Sequence, residues 1–182
     1  MTFTSAPLSG LIVIEPQIWP DERGYFMETY NEHAFHANGI DDLFVQDNLS
    51  YSHRGVLRGM HAQAGAQAQG KLVRVLRGSV LDVAVDIRKQ SETYGQSFSI
   101  TLDADQANAL WIPPGFLHGF LALEDHTVFA YKVTGFYDKD GEVGVRWDDP
   151  DLHIHWPMDV DKLIISEKDT QLPLLKEITS PF

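Results

Sequence analysis

The sequence predicts an all-β domain built as a sandwich or a barrel. From residue 71 onward, short apolar segments are separated by turn residues such as Gly78, Gly95 and Pro113–Gly115, and no long helical segment interrupts them. In SVLDVAVDIR, residues 79–88, side chains alternate with the period of two that defines a β-strand. Many short strands at this spacing are typical of sandwiches and barrels.

Two strands are predicted near the N-terminus. GLIVIEPQIW, residues 10–19, is predicted as a strand that ends at the turn residues Pro20 and Asp21. GYFMETYN, residues 24–31, is predicted as the second strand. These strands precede the main series and form an N-terminal addition to it.

Helical structure is predicted only in short pieces. NEHAFHANGI, residues 31–40, suits a helix with Asn31 as its N-cap and Gly39 as its stop. The last thirty residues, which include IHWP and LPLL, are predicted to form an irregular or partly helical cap.

The strands after the helix form the predicted core. In the segment 79–88, one face carries Leu81, Val83, Val85 and Ile87, and the other carries Asp82, Ala84, Asp86 and Arg88. Further strands are predicted at SFSITL, ALWIPP, GFLAL and TVFAYKVTGFY, and a turn is predicted at Asp138–Gly141.

Composition limits the classes of function. The 182 residues suit a single domain, 1–182, and the absence of cysteine excludes disulfides and thiolate chemistry. The net charge of −12 argues against nucleic acid as a partner. Neither a signal peptide nor a long apolar segment is present, so we expect no membrane association and a cytoplasmic location.

One segment nevertheless concentrates cations and a histidine. RGMHAQAGAQAQGKLVRVLRG, residues 58–78, places Arg58 and His61 three residues apart and carries Lys71 into a predicted strand. A few cations that converge in a cleft can outweigh a remote negative surface. A small anionic substrate is therefore compatible with the acidic composition.

A second segment resembles a motif of the cupin superfamily, whose fold is a jelly-roll β-barrel. WIPPGFLHGF, residues 111–120, contains Pro-x-Gly-x-x-His, and the resemblance implies that the turn delivers His118 to the barrel interior. Metal-binding cupins add His-x-His and a glutamate in their first motif. The matching segment here, RGMHAQ, has only His61, which with His118 falls short of the ligands that a catalytic metal requires. We therefore predict no metal.

Eight segments together resemble one cupin branch, the dTDP-4-dehydrorhamnose 3,5-epimerase family. In the family's order, they are DERGYFMETYN, QDNLSYSHRGVLRGMH, QGKLVRV, DVAVDIRKQSETYGQ, LWIPPGFLHGF, YKVTGFY, WDDPDLHIHWP and ISEKD. They extend from about residue 10 to about residue 175. The resemblance implies a cofactor-free isomerase that inverts C3 and C5 of a dTDP-linked 4-keto-6-deoxyhexose through an enolate.

The resemblance also implies the catalytic residues. His61 corresponds to the base, Asp169 to the carboxylate that orients it, and Tyr131 to the acid. Judged alone, His61 is compatible with a structural role and Tyr131 with a place in the core.

Further positions correspond to substrate contacts. Lys71 and His118 match residues that contact the sugar, although a lysine that extends from an edge strand to water is an alternative for Lys71. The matching nucleotide and diphosphate positions are Arg23, Arg58, Glu28, Gln46, Asp47 and Asn48, with Glu142 and Lys168 as further contacts. Trp19 is a candidate for stacking on the base. The family likeness implies a homodimer with exchanged N-terminal strands, in which Arg23 and Glu28 serve the partner's pocket.

Two positions depart from the family pattern. Ala62 stands where the family usually has Phe or Tyr, which should open space beside the base, and Phe136 stands where a tyrosine is common, which should remove a hydroxyl near Tyr131. Epimerisation at C3 alone therefore stays open. The sequence also leaves open a metal-dependent cupin oxygenase or isomerase and a non-catalytic binding protein for sugar nucleotides.

Overall fold

The computed structural model describes residues 1–182 and consists mainly of β-strands. The strands are β1 (Thr2–Ser5), β2 (Ile12–Glu15), β3 (Ile18–Asp21), β4 (Gly24–Met27), β5 (Gln46–Ser52), β6 (Val56–Gln63), β7 (Lys71–Arg77), β8 (Ser79–Asp86), β9 (Ser97–Asp103), β10 (Ala109–Ile112), β11 (Phe116–Ala122), β12 (Thr127–Val133), β13 (Glu142–Gly144) and β14 (Ile164–Ile165). The α-helices are α1 (Glu32–His36) and α2 (Glu167–Thr170). The predicted all-β class is confirmed.

Two main sheets form a sandwich. The first sheet has the order β1-β2-β10-β7-β12-β5, and the second has the order β13-β6-β11-β8-β9, with β14 added to β6. A third sheet contains only β3 and β4. Nearly all pairings are antiparallel, and neighbouring strands are often distant in sequence, as expected for a jelly-roll sandwich.

Apolar side chains fill the sandwich and also cover the back of the second sheet. Between the sheets, Val73 and Phe129 from the first sheet pack with Ala84 and Phe120 from the second. Behind the second sheet, a separate cluster joins Met60, Val83, Val85 and Leu117 to residues of the C-terminal segment, including Leu152 and Leu175. The strand β8 is therefore buried on both faces, and the C-terminal segment forms the predicted irregular cap.

The N-terminal predictions are wrong in their strand bounds. The predicted strand 24–31 ends at Met27, as β4. The predicted strand 10–19 is divided into β2 and β3, and β3 continues through Pro20 and Asp21 to a turn at residues 22–23. Pro20 is tolerated because β3 belongs to a two-stranded ribbon, where one side of the strand has no partner for a backbone N–H.

The predicted N-cap of the first helix is confirmed. The side chain of Asn31 accepts a hydrogen bond from the N–H of Ala34 at 3.1 Å, and α1 ends at His36 before Gly39, whose φ is +79°. None of the helices has the length and apolarity required to cross a membrane.

Candidate active site

A β-bulge in β6 brings Arg58 and His61 to the same cavity. Arg58 lies opposite Phe120 and His61 lies opposite His118, so two residues of β6 face Gly119 alone. In a regular strand, side chains three positions apart point to opposite faces, and the extra residue reverses that alternation. Both side chains line a cavity of about 580 Å³ that residues of both sheets enclose.

Two glycines permit the bulge. Gly59 has a φ of +129°, and a Cβ built on it would lie 2.6 Å from the Cα of Gly119. A Cβ on Gly119 would lie 2.8 Å from the carbonyl oxygen of Arg58. Because both distances are shorter than real Cβ contacts, a larger residue at either position would displace the strands and the side chains beside them.

His61 forms a hydrogen-bonded pair with Asp169. The Nε2 of His61 lies 2.8 Å from Oδ1 of Asp169, which is 4% exposed and is supplied by α2. Burial alone would raise the pKa of Asp169, but hydrogen bonds from His61, Gly59 and Ser166 outweigh burial and hold that pKa below its usual value. The ionised carboxylate thus accepts a hydrogen bond from the N–H on Nε2, and Nδ1 of His61 is left unprotonated to accept a proton.

His118 forms a second and more deeply buried pair with Asp82. Their Nε2 and Oδ2 atoms are 2.8 Å apart, and Asp82 is fully buried in β8 with its Oδ1 unpaired. Burial lowers the pKa of His118, and the attraction of Asp82 offsets this only in part. The imidazole is therefore neutral at pH 7, and the N–H on its Nε2 is donated to Asp82. No cluster of three or more histidine and carboxylate side chains has a metal-binding arrangement.

Asp82 is a site residue that the sequence did not single out. Alternation in the segment 79–88 places it on one face of the strand without indicating a role. A carboxylate in the middle of a strand, between apolar neighbours on both sides, is nevertheless a signal of a buried partner, and that signal could have identified it.

The opposing sheet contributes Lys71 and Tyr131 to the same cavity. Burial lowers the pKa of Lys71 to about 8, with Asp82 acting in the opposite direction, and burial raises the pKa of Tyr131, with Arg58 opposing it. Both side chains therefore carry a proton at pH 7. The strand β7 lies in the middle of its sheet, so the edge-strand alternative for Lys71 is wrong.

A smaller cavity of about 220 Å³ shares His61, Lys71 and Tyr131 with the larger one. It is also lined by Gln46 and Asn48, whose side chains are hydrogen-bonded to each other at 2.8 Å. The two cavities thus form adjoining compartments around the same three ionisable groups.

Glu142 and Lys168 lie at the border of these compartments. Glu142 lines the smaller cavity and Lys168 lines the larger, and the two side chains form an ion pair at 2.7 Å. Asp47 is not brought to the cavities. Strand alternation directs it to the opposite face of β5, where it pairs with Lys132 at 2.9 Å.

The predicted residues of the N-terminal ribbon do not line either cavity. Arg23, with 84% of its side chain exposed, pairs with Asp21 at 2.5 Å, and Glu28 accepts a hydrogen bond from Asn31. Trp19 packs against the ring of Phe26 and is half exposed. Within one chain these residues are separate from His61.

The two departures from the family pattern differ in their surroundings. Ala62 borders the smaller cavity beside His61 and joins the apolar cluster behind β6. Phe136 is 59% exposed and borders neither cavity, whereas its neighbour Tyr137 borders the smaller one. Phe136 therefore does not remove a hydroxyl from the cavities that Tyr131 lines, and that expectation is wrong.

Comparisons with known proteins show the family of this chain. Residues 5–177 match the family model described as dTDP-4-dehydrorhamnose 3,5-epimerase. A dTDP-4-dehydrorhamnose 3,5-epimerase of Methanothermobacter thermautotrophicus is 52% identical over 96% of this chain and 95% of its own.

Solved structures are similar over nearly the whole chain. A dTDP-6-deoxy-D-glucose-3,5-epimerase of Legionella pneumophila, in complex with dTDP-4-keto-L-rhamnose, superposes with a TM-score of 0.93 at 44% identity and covers 98% of this chain and 94% of its own. A 3'-monoepimerase of Streptomyces bikiniensis, in complex with dTDP-quinovose, has a TM-score of 0.88 at 34% identity and covers 94% and 86%. The chain belongs to the dTDP-4-dehydrorhamnose 3,5-epimerase family.

Proposed function

We propose that this protein inverts C3 and C5 of dTDP-4-dehydro-6-deoxy-D-glucose and produces dTDP-4-dehydro-L-rhamnose. The observation that carries the proposal is the pairing of His61 with Asp169 in a cavity that also contains Tyr131 and Lys71. A base, an acid and an oxyanion donor are the groups that epimerisation beside a ketone requires.

His61 removes the proton in this mechanism. Because the N–H on Nε2 of His61 donates a hydrogen bond to Asp169, Nδ1 carries the free electron pair. Nδ1 therefore takes the proton from C3 or C5. The electron pair of the broken C–H bond forms the C=C bond of an enolate, and the negative charge moves to the C4 oxygen.

Lys71 stabilises the enolate. The ammonium of Lys71, with a pKa of about 8, is largely protonated at pH 7 and lines the cavity. His118 lines the same cavity, but its one N–H is bonded to Asp82, so Nδ1 is left to accept a hydrogen bond from a sugar hydroxyl. A preorganised donor at a developing oxyanion contributes about 10²–10³-fold to the rate. No metal or cofactor enters this scheme.

Tyr131 returns a proton to the opposite face of the sugar. It belongs to the first sheet and His61 to the second, so the two groups approach the cavity from opposing walls. Its raised pKa keeps the phenol protonated until the carbanion forms. Proton exchange with water then restores His61 and Tyr131 for the next inversion.

Cations and amides at the cavities suit the nucleotide portion. Arg58 and Lys168 line the larger cavity and supply charge for a diphosphate, while Gln46 and Asn48 offer amides to a base or ribose. Lys168 must then exchange its contact with Glu142 for phosphate oxygens.

We also propose that the protein is one domain, a homodimer with exchanged N-terminal strands, and that it acts in the cytoplasm. The ribbon β3–β4 exposes Trp19, Tyr25 and Phe26, and its Arg23 lies outside both site cavities of its own chain. Sedimentation should give twice the mass of one chain. If Arg23 acts in a partner's pocket, mixing the variants Arg23→Ala and His61→Ala should restore part of the activity that each lacks.

The direct test is incorporation of solvent deuterium into the dTDP-keto-sugar. Purified wild-type enzyme should label both C3 and C5 and accumulate the doubly inverted product. Label at C3 alone would support the single epimerase instead. Absence of label at any pH would contradict the proposal.

The variant Tyr131→Phe provides the matched control, because it removes only the hydroxyl. Proton removal by His61 should persist, so C3 should still exchange, while net inversion should fall by about 10²–10⁴-fold. Equal loss of exchange and inversion would show that Tyr131 is not the acid.

A further inference from the structure

Three glutamines connect β6 and the segment after it to the loop that follows β12. The glutamine clamp, Gln63, Gln67 and Gln69, occupies the sequence HAQAGAQAQG, and loop 134–138 follows directly after the strand of Tyr131. These glutamines line or support the smaller cavity, and proton transfer between His61, Tyr131 and the sugar gives them no role.

Gln63 is the centre of the clamp. It is only 4% exposed, its Nε2 donates to the carbonyl oxygens of Phe136, at 2.7 Å, and Gln67, and its Oε1 accepts from the N–H of Asp138 at 2.9 Å. A buried amide whose donor and acceptor are both used fixes the groups that it joins.

The remaining two glutamines hold the same loop. Gln67 Oε1 accepts from the N–H of Phe136 at 2.9 Å, and Gln69 Nε2 donates to the carbonyl oxygen of Gly135 at 2.8 Å. Gly135 fits closely, because a Cβ there would lie 2.7 Å from the carbonyl oxygen of Gln67. Side-chain bonds thus hold Gly135, Phe136 and Asp138, the residues around Tyr137.

Tyr137 has no such attachment of its own. It is 60% exposed, yet it borders the smaller cavity together with His61, Tyr131 and Glu142. The position of this ring therefore depends on the backbone of loop 134–138, and that backbone depends on the clamp.

We propose that the glutamine clamp is a positioning device that holds Tyr137 against the nucleotide-sugar ligand and thereby sets ligand affinity. The clamp touches neither His61 nor Tyr131 through its side-chain bonds, so it acts on binding more than on proton transfer. This inference rests on the proposed function, because it assumes a dTDP-linked ligand in the cavities.

The variant Gln63→Leu tests the inference, with Asn108→Leu as its matched control. Asn108 is also a buried amide that bonds two backbone groups, Asp103 N–H and Thr101 C=O, but it lies between β9 and β10 and borders neither cavity. Gln63→Leu should weaken dTDP binding, measured by calorimetry, by about tenfold, and should raise KM with kcat within about threefold. Asn108→Leu should leave both unchanged.

A double-mutant cycle identifies Tyr137 as the intermediary. In a Tyr137→Ala background, Gln63→Leu should weaken dTDP binding by less than about twofold, since the two changes act on one contact. If the effect of Gln63→Leu is the same in both backgrounds, or if Asn108→Leu weakens binding equally, the inference is wrong. Should Gln63→Leu fail to fold, Gln69→Leu removes only the bond to Gly135 and should give a smaller effect of the same kind.

Amide hydrogen exchange separates this inference from the proposed function. The N–H of Phe136 is bonded to Gln67 and not to Gln63, yet it should exchange faster in Gln63→Leu if the clamp holds the loop as a unit. Unchanged exchange would overturn the inference even in an active epimerase. A wild-type protein that neither labels the sugar nor binds dTDP would contradict the proposed function and the ligand role of the clamp together.

Discussion

The site contains two His–Asp pairs, whose histidines lie on adjacent strands of one sheet. The two pairs have the same hydrogen-bond length but different access to solvent. His61–Asp169 and His118–Asp82 both measure 2.8 Å between nitrogen and oxygen. The His61 side chain is 32% exposed, whereas that of His118 is 8% exposed, and Asp82 is completely buried. Exposure and not geometry distinguishes the pairs.

This difference separates two chemical tasks. A base that turns over must exchange protons with water, and His61 has that access. Burial keeps His118 neutral, and its one N–H is bonded to Asp82, so His118 holds in place the carboxylate whose charge acts on Lys71 and transfers no proton. The aspartates also differ in origin, because Asp82 lies within the central strand β8 and Asp169 lies in a short helix of the C-terminal cap.

The largest expected effect concerns the two histidines. His61→Ala should lower kcat by about 10⁴-fold because it removes the base, and His118→Ala should lower it by about 10²-fold because it leaves the buried Asp82, whose charge acts on Lys71, without its hydrogen-bond partner. Single-turnover kinetics on the folded variants measures both. Equal losses would remove the functional distinction between the pairs.

The aspartates should show smaller losses in the same order. Asp169→Asn should lower kcat by about 10³-fold, since an amide can donate to Nε2 and favour the wrong tautomer of His61. Asp82→Asn should lower kcat only about tenfold, because the His118–Asp82 pair holds no reacting proton and Asp82 acts on Lys71 only through its charge. A larger loss for Asp82→Asn than for Asp169→Asn, in variants of equal thermal stability, would reverse the assignment.

The smallest effect is on pH dependence. As Lys71 loses its proton above about pH 8, kcat/KM should fall, and Asp82→Asn should move this decline to lower pH because Asp82 raises the pKa of Lys71.

Unfolding measurements distinguish this decline from loss of structure. The folded pKa of Lys71 is about 8 against an ordinary value of 10.5, so between these values the unfolded chain binds more protons and the contribution of Lys71 to stability rises with pH. Activity that declined only together with the free energy of unfolding would contradict the role of Lys71.

Much of the fold could be predicted because it depends on local patterns. Alternation in 79–88, the turn at Pro113–Gly115 and the cap at Asn31 each act within a few residues, and the structure contains the corresponding strand, turn and helix start. The continuation of β3 through Pro20 could not be predicted in the same way, because the free edge of the ribbon that tolerates Pro20 is a tertiary property.

The site depends on features that one strand cannot reveal. The spacing of Arg58 and His61 predicts opposite faces, and only pairing with β11 shows the extra residue that brings them together. Alternation could have separated Asp47 from Gln46 and Asn48, but the family resemblance grouped all three. The partnership of Asp82 and His118 joins residues 36 positions apart, so it required the sheet.

The most direct test of the contrast between the pairs is nitrogen NMR of the two imidazoles in the wild-type enzyme. We predict that neutral His61 carries its proton on Nε2, with Nδ1 unprotonated, and that His118 is still neutral at pH 6.5, where an ordinary histidine is half protonated. A His118 that is mainly protonated at that pH, or a neutral His61 with its proton on Nδ1, would contradict the assignment of the two pairs.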